Sequence, residues 1–272
     1  MTDFETVQVE RDPRGFATLW LNRAQKNNAF NALMIRELII ALDQLQTDTT
    51  LRFLLLRGRG KHFSAGADLA WMQESANLDY NTNLRDAQEL AELMYNLARL
   101  KIPTLAVAQG ASYGGALGLI SCCDMAIGAE DAQFCLSEVR IGLAPAVISP
   151  FVVQAIGERA ARRYALTAER FDGLRARDIG LLAECYPLAE LESQVRRWVD
   201  NLLLNSPKAM RASKDLLREM GNGELTPARR RFCENAIARI RVSAEGQEGL
   251  RAFLQKRPPT WQQHNRDGDW PE

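Results

Sequence analysis

The sequence predicts an α/β protein: a first half layered from parallel crossovers, then a helical second half. Short apolar runs at 51–57 and 104–108 have the length of buried strands. Ile35, Leu38, Ile39 and Leu42 precede the first run at helical spacing, and Leu90, Leu93, Met94 and Leu97 precede the second. Strand, helix, strand in that order implies parallel pairing, because a parallel neighbour needs a crossover. Beyond Pro150 the strand signal vanishes and helical patterns take over.

Each element follows from its own residues. Val7-Gln8-Val9-Glu10, the turn Asp12-Pro13-Arg14-Gly15 and Phe16-Ala17-Thr18-Leu19-Trp20-Leu21 read as a hairpin. Residues 32–46 form an amphipathic helix behind Asn31, whose side chain suits an N-cap. The strand 51–57 comes next, and Trp71-Met72 marks a short helix beyond it. Lys101-Ile102-Pro103 stops the following helix before the strand 104–108. Residues 111–123, small and apolar, suit a helix deep in the core, while 124–129 and 132–136 read as short strands. In the second half Ser206-Pro207 breaks the pattern. Gly221-Asn222-Gly223 then separates 210–220 from a last helix holding Phe232, Ile237, Ile240 and Val242. Arg257-Pro258-Pro259 opens a polar ending that carries Asp267-Gly268-Asp269 and is expected to fray. Apart from the two crossover units there is no internal repeat.

Composition excludes several classes of function. The 272 residues are 46% hydrophobic and 25% charged, near the globular average. With 34 basic and 34 acidic residues the net charge is zero, so no whole-molecule field draws nucleic acid or an anionic membrane. Arg159, Arg162, Arg163 and the run Arg229-Arg230-Arg231 read as solvated helix faces or contacts to phosphates. No apolar stretch approaches the roughly 18 to 20 residues of a membrane span. Met1-Thr2-Asp3-Phe4-Glu5 has no basic-then-apolar leader, and a cytoplasmic protein is expected. The odd set Cys122, Cys123, Cys135, Cys185 and Cys233 lacks metal-finger spacing and reads as small hydrophobes. No metal is expected.

Candidate chemistry lies in three segments. Phe63-Ser64-Ala65-Gly66-Ala67-Asp68-Leu69 follows the strand 51–57, and Gln109-Gly110-Ala111-Ser112-Tyr113-Gly114-Gly115-Ala116 follows the strand 104–108. Junctions of this kind leave N–H groups without internal partners, and small residues let a ligand approach them. Ala67 and Gly115 are therefore candidate donors to a carbonyl oxygen that gathers negative charge. Taken singly, each segment also suits a tight turn or close helix packing. Carboxyl ends of neighbouring parallel strands converge on one crevice, which would bring the two together. Glu138, among apolar neighbours, is either a proton carrier raised by desolvation or a surface acid paired with Arg140. Tyr113 either lines a pocket or packs, and His62, with no acid or nucleophile beside it, reads as structural.

Leu21-Asn22-Arg23-Ala24-Gln25-Lys26-Asn27-Asn28-Ala29-Phe30, then Phe63 through Leu69, Gly110 through Asp124 and Ala132 through Glu138, resemble the crotonase family, also called enoyl-CoA hydratase/isomerase. The resemblance covers about residues 5–260. Within it, Ser137-Glu138-Val139-Arg140-Ile141-Gly142-Leu143-Ala144-Pro145-Ala146-Val147-Ile148-Ser149-Pro150 is similar to bacterial methylglutaconyl-CoA hydratases of leucine breakdown.

That likeness implies a crotonase-like ββα spiral core over 1–204, a helical C-terminal trimerisation region over 205–260 and a polar tail over 261–272. It implies a homotrimer or homohexamer acting on an acyl-CoA, with no cofactor beyond the CoA of the substrate. The thioester oxygen would lie between the Ala67 and Gly115 N–H groups, with Glu138 as the proton carrier. CoA would run along Lys26, Ala29, Ala65, Asp68 and Leu69, with Phe253 and Lys256 of a neighbouring subunit at its nucleotide end. Family hydratases usually carry a first acid where this chain has Gly118, and Tyr113 and Gly118 would line an enlarged acyl pocket. Hydration of a branched enoyl-CoA is the expected activity. Double-bond isomerisation with the same groups is the alternative, and an RNA- or partner-binding protein on the same fold is a third reading.

Overall fold

The computed structural model describes residues 3–221 and 223–265. The opening hairpin joins β1 (Val7–Asp12) to β2 (Phe16–Leu21), with Val7 opposite Leu21 and Asp12 opposite Phe16. Gly15 N–H closes the turn on Asp12 O at 2.9 Å. The Asn31 side chain accepts from Met34 N–H at 2.9 Å and starts α1 (Ala32–Thr47), whose Met34, Ile35, Leu38 and Leu42 are buried. Crossing over α1, the chain enters β3 (Phe53–Gly58) parallel to β2.

Three turns of strand, second strand and helix follow. From β3 the chain makes a parallel bridge at Ser64, then forms α2 (Leu69–Ser75) and α3 (Tyr80–Ala98). The second turn is β4 (Thr104–Ala108), β5 (Ala111–Tyr113) and α4 (Gly115–Cys122). The third is β6 (Met125–Ala129), β7 (Gln133–Cys135) and α5 (Ser149–Thr167), the last interrupted at Gly157. First strands enter a six-stranded sheet ordered β1-β2-β3-β4-β6-β9, and second strands a small sheet ordered β5-β7-β8. Leu54, Leu105, Val107 and Ile127 of the large sheet are buried with Leu38, Leu93, Met94 and Leu97 of the helices. Burying an aliphatic side chain of this size contributes about 1.5–3 kcal/mol, so this sandwich is the main source of stability.

The chain continues through β8 (Phe171–Asp172), α6 (Gly173–Asp178), β9 (Glu184–Tyr186) and α7 (Leu188–Leu203). It then forms α8 (Pro207–Met220), α9 (Pro227–Val242) and α10 (Ala244–Leu254).

The architecture departs from the sequence expectation in four places. The second half is not free of strands: β9 closes the large sheet beside β6, and β8 pairs antiparallel with β7. Residues 111–113 are strand rather than helix because β5 pairs with both Ser64 and β7. The helix holding Phe232 is not the last, since Ser243 caps a further one, its side chain accepting from Gly246 N–H at 3.0 Å. Finally, the segment after Arg257 is tied down. Trp261 Nε1 and Gln262 Nε2 donate to Leu204 O at 3.2 and 2.7 Å, and Arg52 Nη1 donates to Trp261 O at 3.2 Å. The remainder of the expected fraying tail, from residue 266 on, and Asn222 lie outside the described residues.

Candidate active site

The small sheet gathers the candidate groups by register. Ser64 bridges Ser112 in parallel, and Ser112 pairs with Phe134 in parallel. Parallel neighbours end on the same side, so the residues just beyond them emerge together. Ala67 follows Ser64, Gly115 follows Ser112 and Glu138 follows Phe134 within one helical turn's length of chain. The convergence expected of parallel strands therefore occurs at the small sheet, one strand later than the apolar runs suggested.

Phe30 orients Ala67. Its N–H donates to Gly66 O at 2.8 Å and its C=O accepts from Asp68 N–H at 2.8 Å. A parallel bridge of this form turns the central residue's own N–H to the opposite side, and Ala67 N–H has no acceptor among the described residues. Gly66 makes the bend: its φ is +97°, and a Cβ there would lie 3.2 Å from Tyr113 O.

Gly114 orients Gly115 in a comparable way. At φ 53°, ψ −122° it occupies a conformation that L side chains rarely adopt, while its N–H donates to Cys135 O at 2.9 Å. The chain leaves this bend directly into α4, so Gly115 N–H is at the helix start and has no acceptor among the described residues. The positive end of the helix dipole adds to the attraction for negative charge there.

Glu138 begins the 3-10 turn Glu138–Ile141. Its Oε1 lies 3.2 Å from where a Cβ on Gly114 would be, and its buried Oε2 has no hydrogen-bond partner among the described residues. Burial pushes the carboxyl above the usual glutamate range, with its own N–H opposing in part. The surface pairing with Arg140 does not form, because Arg140 Nη2 donates to Ala168 O at 2.7 Å instead. Glu138 is thus an uncompensated acid beside two unpaired N–H groups.

On the other edge, residues 23–30 dock onto residues 65–69. Ala65 N–H donates to Asn27 O at 2.9 Å, and Arg23 links Ala29 O at 2.6 Å to Asp68 Oδ2 at 2.9 Å. Asp68 also caps α2 by accepting from Ala70 N–H at 2.9 Å. Burial alone would raise its pKa, but the Ala70 N–H and the Arg23 guanidinium outweigh burial and hold it below the ordinary value. Ala29 is buried, whereas Lys26 and Leu69 stand exposed on this edge. Phe253 and Lys256 are exposed as well, at the end of α10 and just after it. His62 is structural, as its residue type suggested: Nδ1 accepts from Ala111 N–H at 2.9 Å. Tyr113 is half-buried, with the Arg170 guanidinium carbon 5.4 Å from its ring centroid.

Gly118 does not open space. A Cβ there would lie 2.4 Å from Ile148 Cγ2, so the absent side chain is replaced by Ile148 and not by an enlarged pocket. The sequence reading also missed Arg23, Phe30 and the Ser64–Ser112 bridge. Phe30 and the serine bridge act through backbone hydrogen bonds, which residue type does not announce, and the guanidinium of Arg23 acts on groups distant in sequence, at which only the buried charge of Asp68 hints.

Chemically, this is an anion-stabilising pair of N–H groups with one poorly solvated carboxyl group, a set suited to proton transfer beside a thioester carbonyl. The family model described as Enoyl-CoA hydratase/isomerase matches residues 11–265. An enoyl-CoA hydratase from Shewanella pealeana superposes with TM-score 0.90 at 46% identity, covering 95% of this chain and 96% of that one. Pseudomonas aeruginosa AtuE gives TM-score 0.91 at 37% identity over 95% and 100% of the two chains. The hydroxycinnamoyl-CoA hydratase-lyase of Pseudomonas fluorescens is 32% identical over 216 residues, 78% of this chain and 77% of that protein. The spiral of strand pairs and helices, the paired N–H groups beside Glu138 and these likenesses lead to one conclusion: the chain belongs to the enoyl-CoA hydratase/isomerase family, adopts its crotonase fold and is a hydratase-type enzyme.

Proposed function

We propose that the protein adds water across the 2,3 double bond of a branched enoyl-CoA thioester of the methylglutaconyl type. The observation that carries this reading is the juxtaposition of two N–H groups, Ala67 and Gly115, with a carboxyl oxygen of Glu138, all three without a hydrogen-bond partner among the described residues. The thioester oxygen accepts from both N–H groups. Glu138 carboxylate takes a proton from water as the water oxygen bonds to C3, and the π electrons move onto the thioester oxygen. The resulting carboxylic acid then gives that proton to C2, restoring the carboxylate and the thioester carbonyl. One acid suffices because it takes and returns the same proton on one face. The methylglutaconyl preference is supported by residues 137–150.

CoA lies along Lys26, Ala29, Ala65, Asp68 and Leu69 in this scheme, and Tyr113 borders the acyl chain. We further propose a homotrimer or homohexamer in which Phe253 and Lys256 of one subunit meet the CoA nucleotide of another. The apolar residues Leu217, Val242, Phe253 and Leu254 exposed on α8 to α10 support burial against a second copy. Incubation with 3-methylglutaconyl-CoA tests the activity. Loss of the conjugated-thioester absorbance with gain of the mass of one water is the expected result. Migration of the double bond at constant mass would assign the site to isomerisation instead.

A further inference from the structure

The small sheet runs from the CoA edge to the edge strand β8, which Arg170 immediately precedes. Its order is the Ser64 bridge, β5, β7 and β8, with the proposed CoA contacts beside the first and Glu138 just beyond β7. An acyl chain whose thioester lies between Ala67 and Gly115 therefore extends towards β8. Tyr113 pairs with Cys135 across β5 and β7. The antiparallel pairing of Gln133 with Asp172 and Phe134 with Phe171 puts Arg170 next in line, opposite Cys135. Neighbouring strands are about 4.8 Å apart, so a side chain from the β8 edge must reach back about two strands to meet Tyr113. Arg170 does so, its guanidinium carbon lying 5.4 Å from the Tyr113 ring centroid.

Among the described residues, no carboxylate pairs with Arg170. The adjacent acid, Glu169, is committed to Arg163 at 2.6 Å, and Glu138 keeps its Oε2 without a partner. Arg140, the other nearby guanidinium, is anchored through its Nη2 on Ala168 O. Arg170 is thus an exposed cation held by an aromatic face at the distal side of the site, with its hydrogen-bond donors available.

We propose that Arg170, steadied on Tyr113, binds a carboxylate at the far end of the acyl chain and makes the enzyme selective for enoyl-CoA thioesters of dicarboxylic acids. The proposal rests on the hydratase reading above and adds the residue that discriminates. A planar guanidinium meets a carboxylate through two parallel hydrogen bonds, and a chain that lacks the carboxylate forfeits both.

Two measurements test it on the full-length protein. The first is the ratio of kcat/KM for 3-methylglutaconyl-CoA to that for 3-methylcrotonyl-CoA, in wild type, Arg170→Met and Arg170→Lys. The ratio is expected to fall about 10- to 100-fold in Arg170→Met and to recover in part in Arg170→Lys. The second is calorimetric binding of the unreactive saturated pair glutaryl-CoA and butyryl-CoA to wild type and Arg170→Met. Wild type is expected to favour glutaryl-CoA, and the variant to lose that preference. An unchanged ratio with an unchanged binding preference overturns the proposal. Loss of the binding preference in a protein that hydrates neither substrate upholds the Arg170 site and overturns the hydratase reading alone.

Discussion

Ile148 occupies the space into which a side chain at Gly118 would grow: a Cβ there would lie 2.4 Å from Ile148 Cγ2 and 3.0 Å from Met94 Cε. Ile148 is 2% exposed and cannot swing into solvent. Gly118→Ala is therefore expected to destabilise the fold by about 1–3 kcal/mol through overpacking. The better helix propensity of alanine, about 1 kcal/mol, offsets part of this. Adding Ile148→Ala should relieve the clash, so a double-mutant cycle in denaturant should give a coupling of about 0.5–3 kcal/mol. Additive effects would contradict the contact. Because the two sites share one space, an acid at 118 and Ile148 cannot coexist without rearrangement.

Gly114→Ala tests the backbone bend. The native φ and ψ exclude a side chain, and the new methyl would also lie 3.2 Å from Glu138 Oε1. Turning Gly115 N–H away is expected to lower kcat about 10²- to 10³-fold, the effect of losing one oxyanion donor. Steady-state kinetics beside an unchanged circular dichroism spectrum would show it. An unaltered kcat would remove Gly115 from the scheme.

The stability of Glu138 should depend on pH in a defined direction. Burial raises its pKa in the folded state, so folding favours the protonated form. That contribution is fully present below the unfolded value of about 4.3 and is lost as pH rises through the folded value. Glutamine has no such ionisation. Glu138→Gln should therefore gain stability over wild type as pH rises from 4 to 7. Thermal melts across this range that show a constant difference would contradict an uncompensated carboxylate.

Arg52 ties the C-terminal segment to the core. It is 7% exposed and donates to Leu203 O at 2.6 Å, Asn205 O at 2.9 Å and Trp261 O at 3.2 Å. Arg52→Met should cost on the order of 3 kcal/mol, leaving the end of α7 uncapped. Limited proteolysis should then cut after residue 255 faster than in wild type. Arg52→Lys should recover little, since one ammonium cannot span carbonyls that a planar fork reaches.

Much of the first half was legible because its elements are long enough to show a period. The Asn31 cap, α1, β3 and β4 fall where side-chain spacing indicated. β5, β8 and β9 have two or three residues each, too few to carry a period, and become strands only because Ser64, β7 and β6 lie alongside. The same division holds in the site. Ala67 and Gly115 were visible as small residues after strands, and Glu138 as an acid among apolar neighbours. The Phe30 bridge and the Arg23 link to Asp68 were not, since backbone groups distant in sequence complete the first and a carboxylate forty-five residues away completes the second. Gly118 stood out only through the family resemblance, as the place of an absent acid, and what fills the gap comes from Ile148, thirty residues on.

The central claim is that one half-buried acid, Glu138, carries the proton. It is tested most directly by the kinetics of Glu138→Gln on 3-methylglutaconyl-CoA, with binding of glutaryl-CoA measured in parallel. A fall in kcat of about 10²- to 10⁴-fold at nearly unchanged binding is the predicted result. Full hydratase activity in this variant would contradict the account.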